Sequence, residues 1–145
     1  MTREAFIEIL DRKGYPYEIE GDKIVVSYQW TVNLESLKKL PSGVEFNNGG
    51  DVWLHSLKTL HPGVEFKNKG DVWLDSLKTL PFGVEFNNGG DVWLHSLKTL
   101  HPGVEFKNNG WVSLEKLDTR NFTGIEGIDN RRLLNLMISK GVFER

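Results

Sequence analysis

The chain contains no cysteine, which removes disulfide bridges, a thiol nucleophile and zinc–thiolate sites from consideration. No segment approaches the roughly 18 consecutive apolar residues of a membrane span. The opening stretch MTREAFIEIL carries charge too early to read as a secretory leader. Neither sign of charge dominates, since 18 basic and 20 acidic residues leave a formal net charge of −2. A general duplex binder shows a basic excess on one face, so nucleic acid is not the expected partner. Sequence signatures of catalysis are also missing: there is no G-x-S-x-G, P-loop or H-E-x-x-H pattern. The expectation from these absences is a soluble, cytoplasmic, non-enzymatic protein without cofactor or metal. Its 145 residues suffice for one domain with a modest core.

What the chain does contain is repetition. From Gly43 to Phe122 one twenty-residue phrase is written four times, beginning GVEFNNGGDVWLHSLKTLHP and ending in the decayed GVEFKNNGWVSLEKLDTRNF. A fixed period without insertions makes each copy one rung of a stacked solenoid, with equivalent letters side by side. A fainter copy precedes them. Ile24, Val26, Tyr28 and Trp30 fall twenty before Val44, Phe46, Asn48 and Gly50, so the array begins near Lys23 and has about five coils.

Within a copy, Val44, Phe46 and Asn48 alternate with Glu45 and Asn47, and Val52 and Leu54 alternate with Trp53 and His55. Period-two alternation predicts strands whose first set points inward. Asn-Gly-Gly makes the corner between them. The Leu54, Leu57, Leu60 spacing predicts a helical or 3₁₀ turn, and Pro-Gly or Phe-Gly closes the coil. The inward columns led by Val44, Phe46, Val52, Leu54, Leu57 and Leu60 form the core. The Asn48/Asn68/Asn88/Asn108 column is buried and polar, which is tolerable if the amides bond along the stack and to the corner backbone.

The flanks read as caps. Thr2 predicts the start of a helix over about residues 3–13 with Phe6, Ile7, Ile9 and Leu10 on its apolar side, and Gly14 predicts its stop. Tyr17–Glu20 and Lys23–Tyr28 read as strands around a Gly21-Asp22 turn. Asp129 predicts a second helix over about residues 130–140, closed by Gly141. Residues 1–22 are thus an N-terminal cap, 23–122 the solenoid and 123–145 a C-terminal helical cap.

The LxxL spacing, the asparagine column and the phrase LP-x-GV-x-F-x-N-x-G-x-V-x-L resemble those of leucine-rich-repeat and related β-solenoid proteins, especially short regular arrays of bacteria and bacteriophages. The resemblance covers about 100 of the 145 residues. It departs from the usual leucine-rich pattern in carrying two alternating segments per coil and no full helix on the convex side. It implies a mainly β, parallel solenoid that binds another macromolecule, and among phage-encoded arrays an inhibitor of a host enzyme or immune complex, such as an anti-CRISPR or other anti-defence protein.

Outward columns nominate the surface that would do this. Trp53, Trp73 and Trp93 form an aromatic strip, with His55, Asp75 and His95 two residues later on the same face. Each indole can bury roughly 150–250 Å², and patches of several hundred square ångströms are seldom exposed without a use. Flanking coils carry Asn33 and Ser113 instead, which confines the strip to the middle. A protein partner docked on these six residues is the leading expectation. Binding of a carbohydrate or nucleotide on the rings is the alternative, and a homodimer or self-assembling structure through the strip or the last helix is a third. A metal on His55, Asp75 and His95 is not expected, because the flat of a sheet closes a coordination shell poorly. Glu45, Glu65, Glu85 and Glu105 stack like with like beside Asn47, Lys67, Asn87 and Lys107. Each lysine is therefore expected to reach glutamates on its own and neighbouring rungs. Lys58, Lys78 and Lys98 form another charged column at the turn.

Overall fold

A computed structural model describes residues 1–81, 83–99, 105–114 and 116. The chain opens with α1 (Arg3–Lys13), followed by β1 (Tyr17–Glu20) and β2 (Lys23–Val26). The Thr2 hydroxyl accepts the Ala5 N–H at 3.1 Å, and Gly14 ends the helix at φ 74°, a left-handed conformation that glycine adopts without penalty. Phe6 and Leu10, one turn apart, are fully buried and join the main core, whereas Ile7 and Ile9 are only partly buried against it. β2 stops at Val26, two residues short of the Tyr28 expected from alternation.

Then come β3 (Val32–Asn33), β4 (Val44–Phe46), β5 (Val52–Trp53), β6 (Glu65–Phe66), β7 (Val72–Trp73), β8 (Glu85–Phe86), β9 (Val92–Trp93), β10 (Glu105–Phe106) and β11 (Val112–Ser113). They sort into two sheets. One has the order β1-β2-β4-β6-β8-β10, with β1 antiparallel at its edge; the other is β11-β9-β7-β5-β3. All pairings except β1–β2 are parallel, and each joins residues twenty apart: Val26 with Phe46, Phe46 with Phe66, Phe66 with Phe86, Phe86 with Phe106. The result is a mainly β, parallel solenoid of about four turns, since five strand pairs are separated by four twenty-residue steps.

Identical residues on successive rungs make the core. Phe46, Phe66, Phe86 and Phe106 stack with ring centroids 5.4, 5.1 and 5.3 Å apart and nearly parallel planes. The valine and leucine columns surround them, with Val52, Leu54, Val72, Leu74, Val92 and Leu94 fully buried. Between Leu54 and Leu57 the expected turn is a single one: the Leu57 N–H donates to the Leu54 carbonyl at 3.2 Å. The chain then returns without regular secondary structure, tied to its neighbours by bonds such as Lys58 N–H to Lys38 carbonyl at 3.0 Å.

At the corner, the buried asparagines bond to backbone rather than to one another. The Asn68 amide donates to the carbonyls of Gly50 on the preceding rung (3.0 Å) and of Gly70 and Asp71 on its own (3.2 and 3.1 Å). Asn48 and Asn108 make the equivalent three bonds, and Asn88 makes those to Gly70 and Asp91. Each amide therefore satisfies carbonyls that the corner withdraws from the sheets. The helix expected over 130–140, with Asp129 and Gly141 at its ends, lies outside the described residues.

Candidate docking surface

The outward face of the second sheet is organised by residues that the sequence reading passed over. The side chain of Asp51 reaches one rung along the stack, where its Oδ1 accepts the Asp71 N–H at 2.8 Å. Asp71 does the same for Asp91 at 2.7 Å, and Asp91 for Trp111 at 2.7 Å. The Thr31 hydroxyl begins the series by accepting the Asp51 N–H at 3.1 Å. This aspartate ladder runs beside the asparagine ladder and fastens each corner to the next. Bonds to an ionised acceptor contribute about 1.5–3 kcal/mol apiece.

Glycine makes room for it. A Cβ on Gly70 would collide with Oδ1 of Asp51 and lie 2.8 Å from the Gly50 carbonyl carbon, and Gly90 and Gly110 stand in the same relation to Asp71 and Asp91. The signal was present in the sequence as an invariant Gly-Asp step in the three middle coils, Gly50-Asp51, Gly70-Asp71 and Gly90-Asp91. Read alone, such a step looks like a solvated turn.

The second carboxylate oxygen faces the tryptophans. Oδ2 of Asp51 accepts the Trp53 Nε1–H at 3.2 Å, and Oδ2 of Asp71 accepts the Trp93 Nε1–H at 3.3 Å. Trp53, Trp73 and Trp93 occupy matching positions in β5, β7 and β9, directly paired in register. They are half-buried rather than fully displayed. Trp73 and Trp93 stack at 4.8 Å with planes 16° apart, while His55 stacks on Trp73 at 5.4 Å and 25°. His55 comes from the preceding rung and Trp93 from the following one, so both faces of the Trp73 ring are covered. Its Nε1–H is buried and without an acceptor. The most exposed tryptophans are Trp30 and Trp111, at 62% and 50%, at the corners between β2 and β3 and between β10 and β11.

His55, Asp75 and His95 also lie on successive rungs. His55 Nε2 is 3.8 Å from Asp75 Oδ2, His95 Nδ1 is 3.8 Å from Asp75 Oδ1, and Glu35 extends the series, with its Oε1 3.4 Å from His55 Nδ1. Acid and imidazole alternate, so no like pair stands adjacent. Among the described residues no group of three or more His, Asp or Glu side chains is arranged to hold a metal ion. His61, at the corner, is exposed.

On the other sheet two members of the glutamate column, Glu45 and Glu65, are neutralised locally. Glu45 is buried, and Lys67 Nζ lies 3.2 Å from Glu45 Oε1 and 3.0 Å from Glu65 Oε2, on the neighbouring and the same rung. Lys23 reaches the same two carboxylates at 3.4 and 3.0 Å. Burial pushes the Glu65 carboxyl upward, but the hydrogen bonds from Lys67 and Lys23 outweigh it and hold the group below the usual range. Both lysines are raised, chiefly by hydrogen bonding to Glu65.

Among the described residues no helix is long and apolar enough to cross a membrane. No protein-family model matches the chain, and no curated protein or solved structure is similar to it.

Proposed function

We propose that the chain is a non-catalytic interaction module, and that the outer face of the second sheet docks a protein partner. The observation that carries this reading is the in-register alignment of Trp53, Trp73 and Trp93 on three successive rungs of one face. A continuous aromatic strip with a polar margin of His55, Asp75 and His95 is the arrangement expected of a binding hot spot. The ladder beneath it holds two of the three indoles by their ring nitrogens, so little side-chain entropy remains to be lost on binding. In this reading α1 and β1 close one end of a leucine-rich-repeat-like stack. A cytoplasmic inhibitor of a host enzyme or immune complex is the biological role that fits the resemblance to phage arrays.

Ring-stacking ligands are less well supported. A sugar or base needs a free aromatic face, and Trp73 has neither face free. Contact along the half-buried strip suits an apolar protein surface better. The test is affinity purification with wild type and Trp73→Ala, with folding checked by circular dichroism. Specific proteins that co-elute with the wild type and are lost from a folded Trp73→Ala variant support docking. Equal recovery with both rejects it. A light-scattering dimer that Trp73→Ala converts to monomer assigns the face to self-association instead.

A further inference from the structure

The lysines on the two sides of this molecule are treated differently. On the first sheet, Lys23 and Lys67 each contact two glutamates. On the return segment, Lys38, Lys58, Lys78 and Lys98 occupy successive rungs, are exposed, and have no carboxylate within ion-pair distance among the described residues. Backbone bonds from Lys58 N–H to the Lys38 carbonyl (3.0 Å) and from Lys98 N–H to the Lys78 carbonyl (3.1 Å) keep these rungs in step. With rungs about 4.8 Å apart, four ammonium groups fall within about 14 Å of stack length. Lys39, also exposed, adds a fifth at one end. Like charges directly opposite on neighbouring strands repel. On the first sheet the repulsion between Glu45 and Glu65 is relieved by Lys23 and Lys67, and among the described residues no opposite charge is interleaved in the Lys38–Lys98 column.

We infer that the column Lys38, Lys58, Lys78 and Lys98 is a binding site for an extended acidic peptide segment of a partner protein. This goes beyond the tryptophan strip, which lies before the 55–56 turn whereas the lysines lie after it. A line of flexible ammonium groups matches a line of carboxylates without demanding fixed geometry, and a bound acidic segment would remove the mutual repulsion of the column. A nucleic acid fits less well. Single strands are held by base stacking as well as by charge, and the Trp73 ring is already covered on both faces.

The test is fluorescence anisotropy of a labelled oligoglutamate peptide titrated with the full chain. Oligoglutamine serves as the uncharged control, and a single-stranded oligonucleotide and inorganic polyphosphate serve as competitors. Saturable binding of oligoglutamate that weakens with added salt is expected. Lys58→Glu with Lys78→Glu should weaken it roughly tenfold and flatten the salt dependence. The neutral pair Lys58→Gln with Lys78→Gln should weaken it less, and this pair decides the matter if the charge reversal disturbs folding. Unchanged affinity in a folded double variant overturns the inference. So does equal binding of oligoglutamine, or tighter binding of the oligonucleotide or polyphosphate than of oligoglutamate. Trp73→Ala separates this site from the aromatic one, because it should leave oligoglutamate binding intact while abolishing partner recovery.

Discussion

The Asp71 carboxylate reaches across one rung and accepts the backbone N–H of Asp91 at 2.7 Å, while its other oxygen receives the Trp93 indole N–H at 3.3 Å. One side chain thus joins the corner of the solenoid to the aromatic strip. Asp71→Ala would leave both donors without their acceptor. A loss of about 3 kcal/mol or more in urea denaturation is expected. Asp71→Asn keeps one acceptor oxygen but not the charge, and should cost roughly half as much. Equal stability of Asp71→Ala and wild type would show the ladder to be idle. Because Trp93 shares the carboxylate, its fluorescence should also change in Asp71→Ala.

The glycines that precede these aspartates should be far less replaceable than Gly63 and Gly83, which close two of the coils without a crowding neighbour. A Cβ on Gly90 meets Oδ1 of Asp71 and lies 2.9 Å from the Gly70 carbonyl carbon, so backbone must move. Gly63 has φ 88° but nothing within 4 Å of a built Cβ. Gly63→Ala should therefore cost only the left-handed strain, about 1–2 kcal/mol. Gly90→Ala should cost more than that, and adding Asp71→Ala should recover only part of the loss, because the Gly70 backbone contact remains. Thermal denaturation of the three variants against wild type checks the ranking.

Much of this architecture was legible because the period is constant. Once Val44, Phe46, Val52 and Leu54 were assigned inward, every equivalent residue followed, and the pairing of Phe46 with Phe66 is a direct consequence of twenty-residue spacing. The limits of α1 were readable because Thr2 and Gly14 have specific backbone roles at helix ends. The aspartate ladder was not readable in the same way. Its acceptor lies on a different rung from its donor, and the space it occupies exists only because another coil supplies a glycine there. The in-register alignment of the three tryptophans follows from the spacing, yet their packing depends on rotamers. Register alone does not show that His55 would cover one face of Trp73 or that two indoles would donate to aspartates.

The Lys23–Glu45–Glu65–Lys67 cluster makes stability depend on pH in two separate ranges. Glu65 is lowered in the folded chain, so its contribution is fully present above the unfolded carboxyl value of about 4.3 and is lost as pH falls through the depressed folded value. Lys23 and Lys67 are raised, so their contribution is fully present below about 10.4 and is lost as pH rises through the elevated folded values. Glu65→Gln should narrow the difference between neutral and acid stability. Measured against wild type in urea, its penalty should be constant near neutrality and shrink below about pH 4. A penalty that stays constant from neutral to strongly acid pH would show that the carboxylate charge contributes nothing.

The uncompensated lysine column predicts a substitution that strengthens the fold while weakening recognition. Lys78 stands between Lys58 and Lys98 on adjacent rungs, all three exposed. Lys78→Glu replaces two repulsive neighbours with two attractive ones. The gain expected for such exposed cross-strand pairs is about 0.2–1 kcal/mol at low salt. It should fade as salt rises, because the Debye length shrinks to about 3 Å at 1 M. Urea denaturation of wild type and Lys78→Glu at low and high salt measures it. A variant less stable than wild type at low salt would mean that the ammonium of Lys78 has a stabilising partner. A stabilised variant that also binds oligoglutamate less tightly would mark the column as charge retained at a cost to the fold, the pattern expected where a surface is kept for a ligand.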